Sequence, residues 1–522
     1  SAAVPASKPA VSVSGGRIQL FDDASIGALS SSGSGSVITS SSTLATGYVL
    51  KPTTLTINQD INTTYTGDIA NSNINFLDGT APALSIDKRG KGTLTLTSTT
   101  STYDGVTKIS EGVLVVSAVG LKGRGQQTPT SIGTGVYNPA VLDGTGVLLD
   151  SQKSAGNLVI MDGAALSTVG EFQLITDRPF TIGVGQQGAS LLANSASIGN
   201  VVAWRQNKLY VHGTNTWTGG YDDIQFTTPN QNALLNLGGR NQGGNQFGLD
   251  LHDNGTGKLS LQKTGDGQWV MGEWGKQTGE LVTTPSRNDF TGRTTIYVGT
   301  LAIAQDHVLG AAGGESVNLV GGNLDLINVD YTTNEALSMA GGRLRTFIGN
   351  SAWTGNLSID VGSAIETGTG SSLRLRGNIS GKGGITKVGF GTLTLEGSNS
   401  FTGGFSVQEG TLRLDYSNNA GSKLFDTGGF ALGGGRSGGT LDIVGGTGVT
   451  PIVEVVAALN IGLGQNRITR SDPASTTVVL LNALENGRVA QGAALDIGAD
   501  NIVRTDRLND PAGGLLGTWL TV

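Results

Sequence analysis

Six aromatic-x-glycine turns recur along the chain and constrain its fold more than any other feature. They are Tyr65-Thr66-Gly67, Tyr103-Asp104-Gly105, Trp217-Thr218-Gly219, Phe290-Thr291-Gly292, Trp353-Thr354-Gly355 and Phe401-Thr402-Gly403. Repetition of a short turn between apolar runs predicts stacked β-units, each burying its apolar face only against the next. A chain built this way is a scaffold before it is a pocket.

Three of the turns sit in a longer shared unit. Lys387, Gly389 and Gly391 lead to Leu393 and Leu395, then to Phe401, Gly403, Val407, Gly410 and Leu412. Lys88, Gly90, Gly92, Leu94, Leu96, Tyr103, Gly105, Ile109, Gly112 and Leu114 repeat that order. A third copy has Lys263, Gly265, Gly267, Trp269, Met271, Phe290, Gly292, Val298, Gly299 and Leu301, with an insertion at 272–289 that predicts an outward loop. The aromatic keeps one fixed spacing to Gly112, Gly299 or Gly410, which marks a rigid strand-turn-strand element. Thr93-Leu94-Thr95-Leu96-Thr97 and Thr392-Leu393-Thr394-Leu395 alternate with period two, so leucine faces one side and threonine the other. Gly-Gly-x-Leu runs at 321–324, 341–344 and 438–441 predict further strand starts. No long stretch carries a helical period, so helix is expected to be minor.

Composition fits short strands punctuated by glycine. Glycine supplies 84 of 522 residues against 12 prolines, and no Gly-x-y period is present. Charge is low and evenly spread, with a net of −7, which disfavours nucleic acid or anionic membrane as partner. There is no cysteine, so neither a disulfide framework nor a thiolate metal site is available. Few charges, abundant Thr, Ser and Asn, and no cysteine together favour an exported protein. The start Ser1-Ala2-Ala3-Val4-Pro5 is not a signal peptide, and no apolar run is long enough for a transmembrane helix.

The unit running from Gly391-Thr392-Leu393-Thr394-Leu395 through Phe401-Thr402-Gly403-Gly404 to Glu409-Gly410-Thr411-Leu412 resembles the autotransporter-associated β-strand repeat. That resemblance implies a right-handed parallel β-helix of the kind found in autotransporter passenger domains and large bacterial surface proteins. It implies no catalytic residue. The stretch after Gly410 lacks the alternating strands and aromatic girdles of a translocation barrel. At roughly 20–25 residues and ~4.8 Å per coil, about twenty coils would give a rod on the order of 100 Å. The expected organisation is an N-terminal arm and capping segment at 1–50, a β-solenoid of degenerate repeats at 51–464, and C-terminal coils or a cap or docking segment at 465–522. The stretch from Ser1 to Ser14, with Pro5 and Pro9, reads either as a frayed tail into a capping coil or as an arm adding a strand to a neighbouring subunit.

Chemistry is sparse. The three histidines, His212, His252 and His307, lack metal or triad spacing. Gly435-Arg436-Ser437-Gly438-Gly439 matches Gly-x-Ser-x-Gly formally, but a glycine run precedes Ser437 and a strand is expected after it. Asp222 and Asp223 are adjacent and would point to opposite faces of a strand. Asp325, Asp330 and Glu335 could bind calcium but lack the usual nonapeptide pattern, so solvated carboxylates are expected. Trp204, Trp217, Trp269 and Trp274 either pack at coil corners or form an exposed face that stacks on sugars.

The sequence therefore predicts a non-enzymatic bacterial surface or extracellular protein without cofactor. The first expectation is a structural subunit of a fibre, sheath or surface layer that self-associates end to end. The alternative is a monomeric rod-like adhesin or autotransporter passenger binding glycan or a host surface. A polysaccharide-active β-helix enzyme ranks third.

Overall fold

The computed structural model describes residues 8–32, 35–40, 52–71, 83–120, 130–133, 155–170, 174–176, 178–204, 209–211, 216–218, 224–272, 288–435, 437–445, 452–471, 478–481, 489–498, 503–504 and 520–521. The chain divides into two compact units, Ser1–Gly292 and Arg293–Val522. Among the described residues the only helix is a 3-10 turn at Ala155–Asn157. The rest is short strands in parallel register, the architecture of a parallel β-solenoid.

The first unit has three-sided coils. One side stacks Thr63–Tyr65, Thr93–Leu96, Val113–Val116, Ala165–Thr168, Ala189–Ala193, Ala233–Gly239 and Leu259–Lys263, each parallel to the next. A second stacks Ala24–Ile26, Thr53–Asn58, Leu84–Arg89, Thr107–Ile109, Leu158–Ile160, Phe180–Ile182 and Ile224–Phe226. The third is carried early by Gly16–Leu20, Ser36–Ser40 and Asp68–Ala70, and later by Leu174–Thr176, Val202–Trp204, Asn245–Phe247 and Gln268–Met271. Val11–Val13 pairs in parallel with Leu29–Ser31 of its own chain, so this part of the expected arm is already a coil. Residues 1–7 lie outside the described residues.

The second unit follows the same plan. Thr294–Ile296, Val317–Leu319, Leu337–Met339, Leu357–Ile359 and Ile379–Ser380 form one side. Thr300–Ile303, Asn323–Ile327, Arg343–Ile348, Ser363–Thr367, Ile385–Val388, Phe405–Val407, Gly429–Leu432 and Ala458–Ile461 form the next. Asn350–Trp353, Ser372–Leu375, Thr392–Leu395, Gly410–Asp415, Gly439–Val444, Gly464–Arg470 and Ala493–Ile497 form the third.

Register explains why the strands hold. Leu94, Leu114, Leu166, Leu191 and Leu237 follow one another through successive coils as one internal ladder, and all are buried. Leu373, Leu393, Leu412, Leu441 and Ile468 do the same in the second unit. Each such side chain contributes about 1.5–3 kcal/mol by leaving water. A one-residue slip would turn a whole ladder outward, so the alternation fixes the register.

Candidate functional site

The lysine of each repeat copy is the least expected feature of the interior. Strand periodicity places it on the inward face: Leu84, Ile86 and Lys88 alternate, as do Leu259, Leu261 and Lys263. Lys88 stands in register between Ile57 and Ile109, Lys263 follows Leu237, and Lys387 lies between Ile365 and Val407. All three are fully buried. Their methylene stems continue the aliphatic ladder, and the ammonium reaches the coil corner.

At the corner the ammonium meets backbone oxygens. Lys88 Nζ donates to the carbonyls of Arg89 (2.8 Å), Gly90 (2.7 Å) and Glu111 (3.1 Å). Lys263 Nζ donates to Thr264 (2.7 Å) and Gly265 (2.6 Å). Lys387 Nζ donates to Val388 (3.2 Å), Gly389 and Glu409 (3.0 Å). A chain turning a sharp corner points carbonyls inward with no strand partner, and such groups need a donor when buried. Lysine, with three N–H bonds and no acceptor, suits that need. Corners without this lysine use other buried donors. Gln59 Nε2 donates to the Ile61 and Thr93 carbonyls, and Asn241 Nδ2 to those of Ser195 and Ser197. Lys423 Nζ reaches Glu396, Gly397 and Asn419.

Each repeat copy is therefore a corner with the next corner stacked on it. The Lys88 copy bends between Leu84–Arg89 and Thr93–Leu96, and the Lys263 copy between Leu259–Lys263 and Gln268–Met271. These are two different corners of the same unit, so the motif encodes a bend and not a particular side. The stacked glycine follows from that. Gly112 and Gly410 have φ of +72° and +70°, in the left-handed region. A Cβ on Gly410 would lie 2.5 Å from the Gly389 oxygen and 2.7 Å from Lys387 Nζ.

The aromatic-x-glycine turns close the coil at another corner. Tyr65, Tyr103, Phe290, Trp353 and Phe401 are all buried. Two residues on, Gly67, Gly105, Gly292, Gly355 and Gly403 rest so closely on the preceding coil that any Cβ would collide with its backbone. Trp353 also stacks face to face on Tyr331 of the coil before, with centroids 4.7 Å apart. Trp217 differs, because it lies in an antiparallel pair, Leu209–Val211 with Thr216–Thr218. Gly219 falls outside the described residues.

Burial lowers the lysine pKa values to about 8 for Lys88, Lys263 and Lys387. An unfolded lysine keeps its proton to about 10.5, so between pH 8 and 10.5 the unfolded chain binds more protons. Raising pH through that window stabilises the folded lysine corners, and lowering it through 8 removes the gain. Glu335 acts in a lower window. Burial raises its carboxyl to about 8 from 4.5, so the stability it adds below 4.5 is lost as pH rises through 8. We expect the wild-type chain to resist urea better at pH 9.5 than at pH 8, and Lys387→Met to show a smaller gain. Equal gains in the two proteins would contradict the lysine assignment.

The remaining candidates are absorbed by the fold or fall outside the described residues. Asp325 forms a bidentate ion pair with Arg345 (2.6 and 2.8 Å), and Asp330 pairs with Arg376 (2.5 Å). Glu335 is buried and accepts from the Tyr331 hydroxyl at 3.1 Å. Asp325 and Glu335 are therefore buried and not the solvated carboxylates expected from sequence, whereas Asp330 is exposed as expected, and the three do not converge on a cation. Among the described residues no cluster of three or more metal-ligating side chains occurs. Ser437 is exposed and precedes the strand Gly439–Val444, not a helix. His307 lies beside Asp306 at 3.2 Å, and His252 packs near Phe226. Trp204 and Trp269 are buried, which removes them from any sugar-stacking face. His212, Asp222, Asp223, Trp274 and the 273–287 insertion lie outside the described residues, as do the side chain of Trp217 and Trp519.

The comparisons coincide with this geometry. A family described as the passenger-associated-transport-repeat matches residues 86–116, 261–303 and 385–414, the three lysine-corner copies. The adhesin BmaC autotransporter of Brucella suis biovar 1 (strain 1330) is 28% identical over 497 residues, covering 80% of this chain. The chain carries three copies of a passenger-associated repeat and resembles an autotransporter passenger. Its place is extracellular or on the cell surface, as the repeat and this similarity indicate. The passenger-like chain spans 13% of the length of that relative. No solved structure matches it. No helix among the described residues is long and apolar enough to cross a membrane.

Proposed function

We propose that the passenger-like chain is a non-enzymatic, adhesin-like segment that holds a binding surface away from the bacterium. The observation that carries this reading is similarity to an adhesin along 80% of the chain, together with repeats whose functional groups are spent on the fold. The lysines of the motif cap carbonyls, Asp325 and Glu335 have partners inside the solenoid, and the exposed Asp330 is paired with Arg376 at its surface. What such a surface offers a partner is exposed side chains at corners and along strand faces. The adhesin reading takes precedence over a fibre subunit assembling end to end, because the relative is an adhesin.

The test is display of the chain on a non-adherent bacterium, with adherence to cultured epithelial cells counted against an empty display vector. Adherence well above the control is expected. Equal adherence, with the chain verified on the surface by antibody, would contradict the proposal.

A further inference from the structure

The second unit has one break in its stacking. The side that begins with Thr294–Ile296 ends as strand at Ile379–Ser380. Its next strand is Val453–Val456, which lies in chain order between Gly439–Val444 and Ala458–Ile461 and pairs onward with Val478–Leu481. The two coils between cross this side without a strand, as residues 396–404 and 416–428. Up to the second crossing the backbone still bonds coil to coil. Ser400 N donates to the Ile379 carbonyl (2.8 Å), Thr402 N to that of Gly381 (2.8 Å) and Asn399 N to that of Ser422 (2.8 Å). There the series stops: among the described residues no backbone hydrogen bond joins 417–428 to Val453–Val456. A strand bonded along one edge leaves a row of N–H and C=O groups unpaired along the other.

A single side chain spans the break. Glu454 is fully buried and points inward from its strand, as Val456 does. Its Oε1 accepts from Leu424 N (2.8 Å) and Ser422 Oγ (3.0 Å), and its Oε2 from Lys423 N (2.9 Å) and the Tyr416 hydroxyl. Lys423 is tied the other way, through Nζ, to the carbonyls of Glu396 (2.9 Å) and Gly397 (3.1 Å). The strap 416–428 is thereby seated on the coil before it and latched to the coil after it by one carboxylate. Its stretch Ser417-Asn418-Asn419-Ala420-Gly421-Ser422 lacks the β-branched and aromatic residues that suit a strand. The strand it covers is valine-rich, and Val453 is 48% exposed.

We propose that the strap, latched by Glu454, guards an open strand edge at Val453–Val456, and that a second copy of this chain adds to that edge when the latch is released. The edge is its own complement. Two such edges related by a two-fold axis pair antiparallel, each supplying the donors and acceptors the other lacks. Nothing on the outward face repels its image, because Glu454 is the one charge of the strand and faces inward. An inward-pointing charge is also a device by which sheet edges resist addition, so one residue both latches the strap and protects the edge.

The test is light scattering of the whole chain after gel filtration, with hydrogen exchange followed at 416–428. Wild type is expected to be monomeric, and a dimeric wild type would overturn the guard. Each oxygen of Glu454 faces a backbone N–H that cannot turn away, so in Glu454→Gln the amide NH2 opposes one of them in either orientation. Exchange at 416–428 is expected to quicken, and the dimer fraction to rise about tenfold over wild type. Adding Val455→Lys, which puts a charge on the outward face of the edge, is expected to restore the monomer. Should Glu454→Gln fail to fold, Tyr416→Phe, which removes one hydroxyl from the latch, takes its place and is expected to show the same shifts in smaller measure. A loosened strap on a chain that stays monomeric would overturn the proposal and leave the edge to an extended segment of another protein. A strap that exchanges no faster would overturn the latch. Dimers undiminished by Val455→Lys would overturn the edge and assign association to Phe401, Phe405 and Phe430, which line a small apolar cleft with Leu424 and Phe425 of the strap.

Discussion

Gly355→Ala is expected to break the second unit locally, at a cost of about 3 kcal/mol. The added Cβ would fall on the Glu335 carbonyl oxygen of the preceding coil, with Glu335 N 3.1 Å away. Backbone cannot rotate aside as a flexible side chain can, so the two coils must separate. Separation strains the hydrogen bond from Thr354 N to the Tyr331 carbonyl (3.1 Å) and the stack of Trp353 on Tyr331. Gly370→Ala is the control. It has a φ of +74° and open space around it, so it should cost only about 1 kcal/mol from backbone strain. Trp fluorescence during urea titration distinguishes the two, with an early transition only in Gly355→Ala. Similar midpoints for both variants would mean that close coil contact does not limit stability there.

Lys387→Met is the second large effect, again about 3 kcal/mol. Methionine fills the aliphatic position between Ile365 and Val407 but donates nothing to the carbonyls of Val388, Gly389 and Glu409. Replacing a buried ion by an apolar residue is neutral only when its partners also become apolar, and backbone carbonyls cannot. Lys382, exposed three residues before the same strand begins, should tolerate the same change with little effect. A Lys387→Met protein as stable as wild type would show that water can replace the ammonium at the corner.

Much of the fold was legible because two periods reinforce each other. Alternation at 93–96 and 392–395 put leucine inside, and the recurring glycines marked the bends. The aromatic turns were legible as turns, and the register supplies their reason: the glycine must lie on the coil beneath. The role of the lysines was missed, although the signal was present. Leu84, Ile86 and Lys88 occupy one face by the same alternation used for leucine, so Lys88 had to point inward. A charged residue in an apolar ladder needs a partner, and the following glycines supply the carbonyls. The arm reading for Val11–Val13 failed because local parallel pairing with Leu29–Ser31 was available within the chain. Trp204 and Trp269 were open to either reading because tryptophan serves equally as core filler and as a sugar platform. The open edge at Val453–Val456 was invisible in sequence, since only the strand order shows it standing first in its sheet.

The most direct test of the account is amide hydrogen exchange followed by mass spectrometry across the whole chain. The slowest exchange is expected in peptides holding the lysine corners, Leu84–Leu96, Leu259–Met271 and Ile385–Leu395, and Lys387→Met should lose protection first at 385–414. Uniformly fast exchange at these corners, or a Lys387→Met protein whose protection falls elsewhere, would contradict a solenoid built on them.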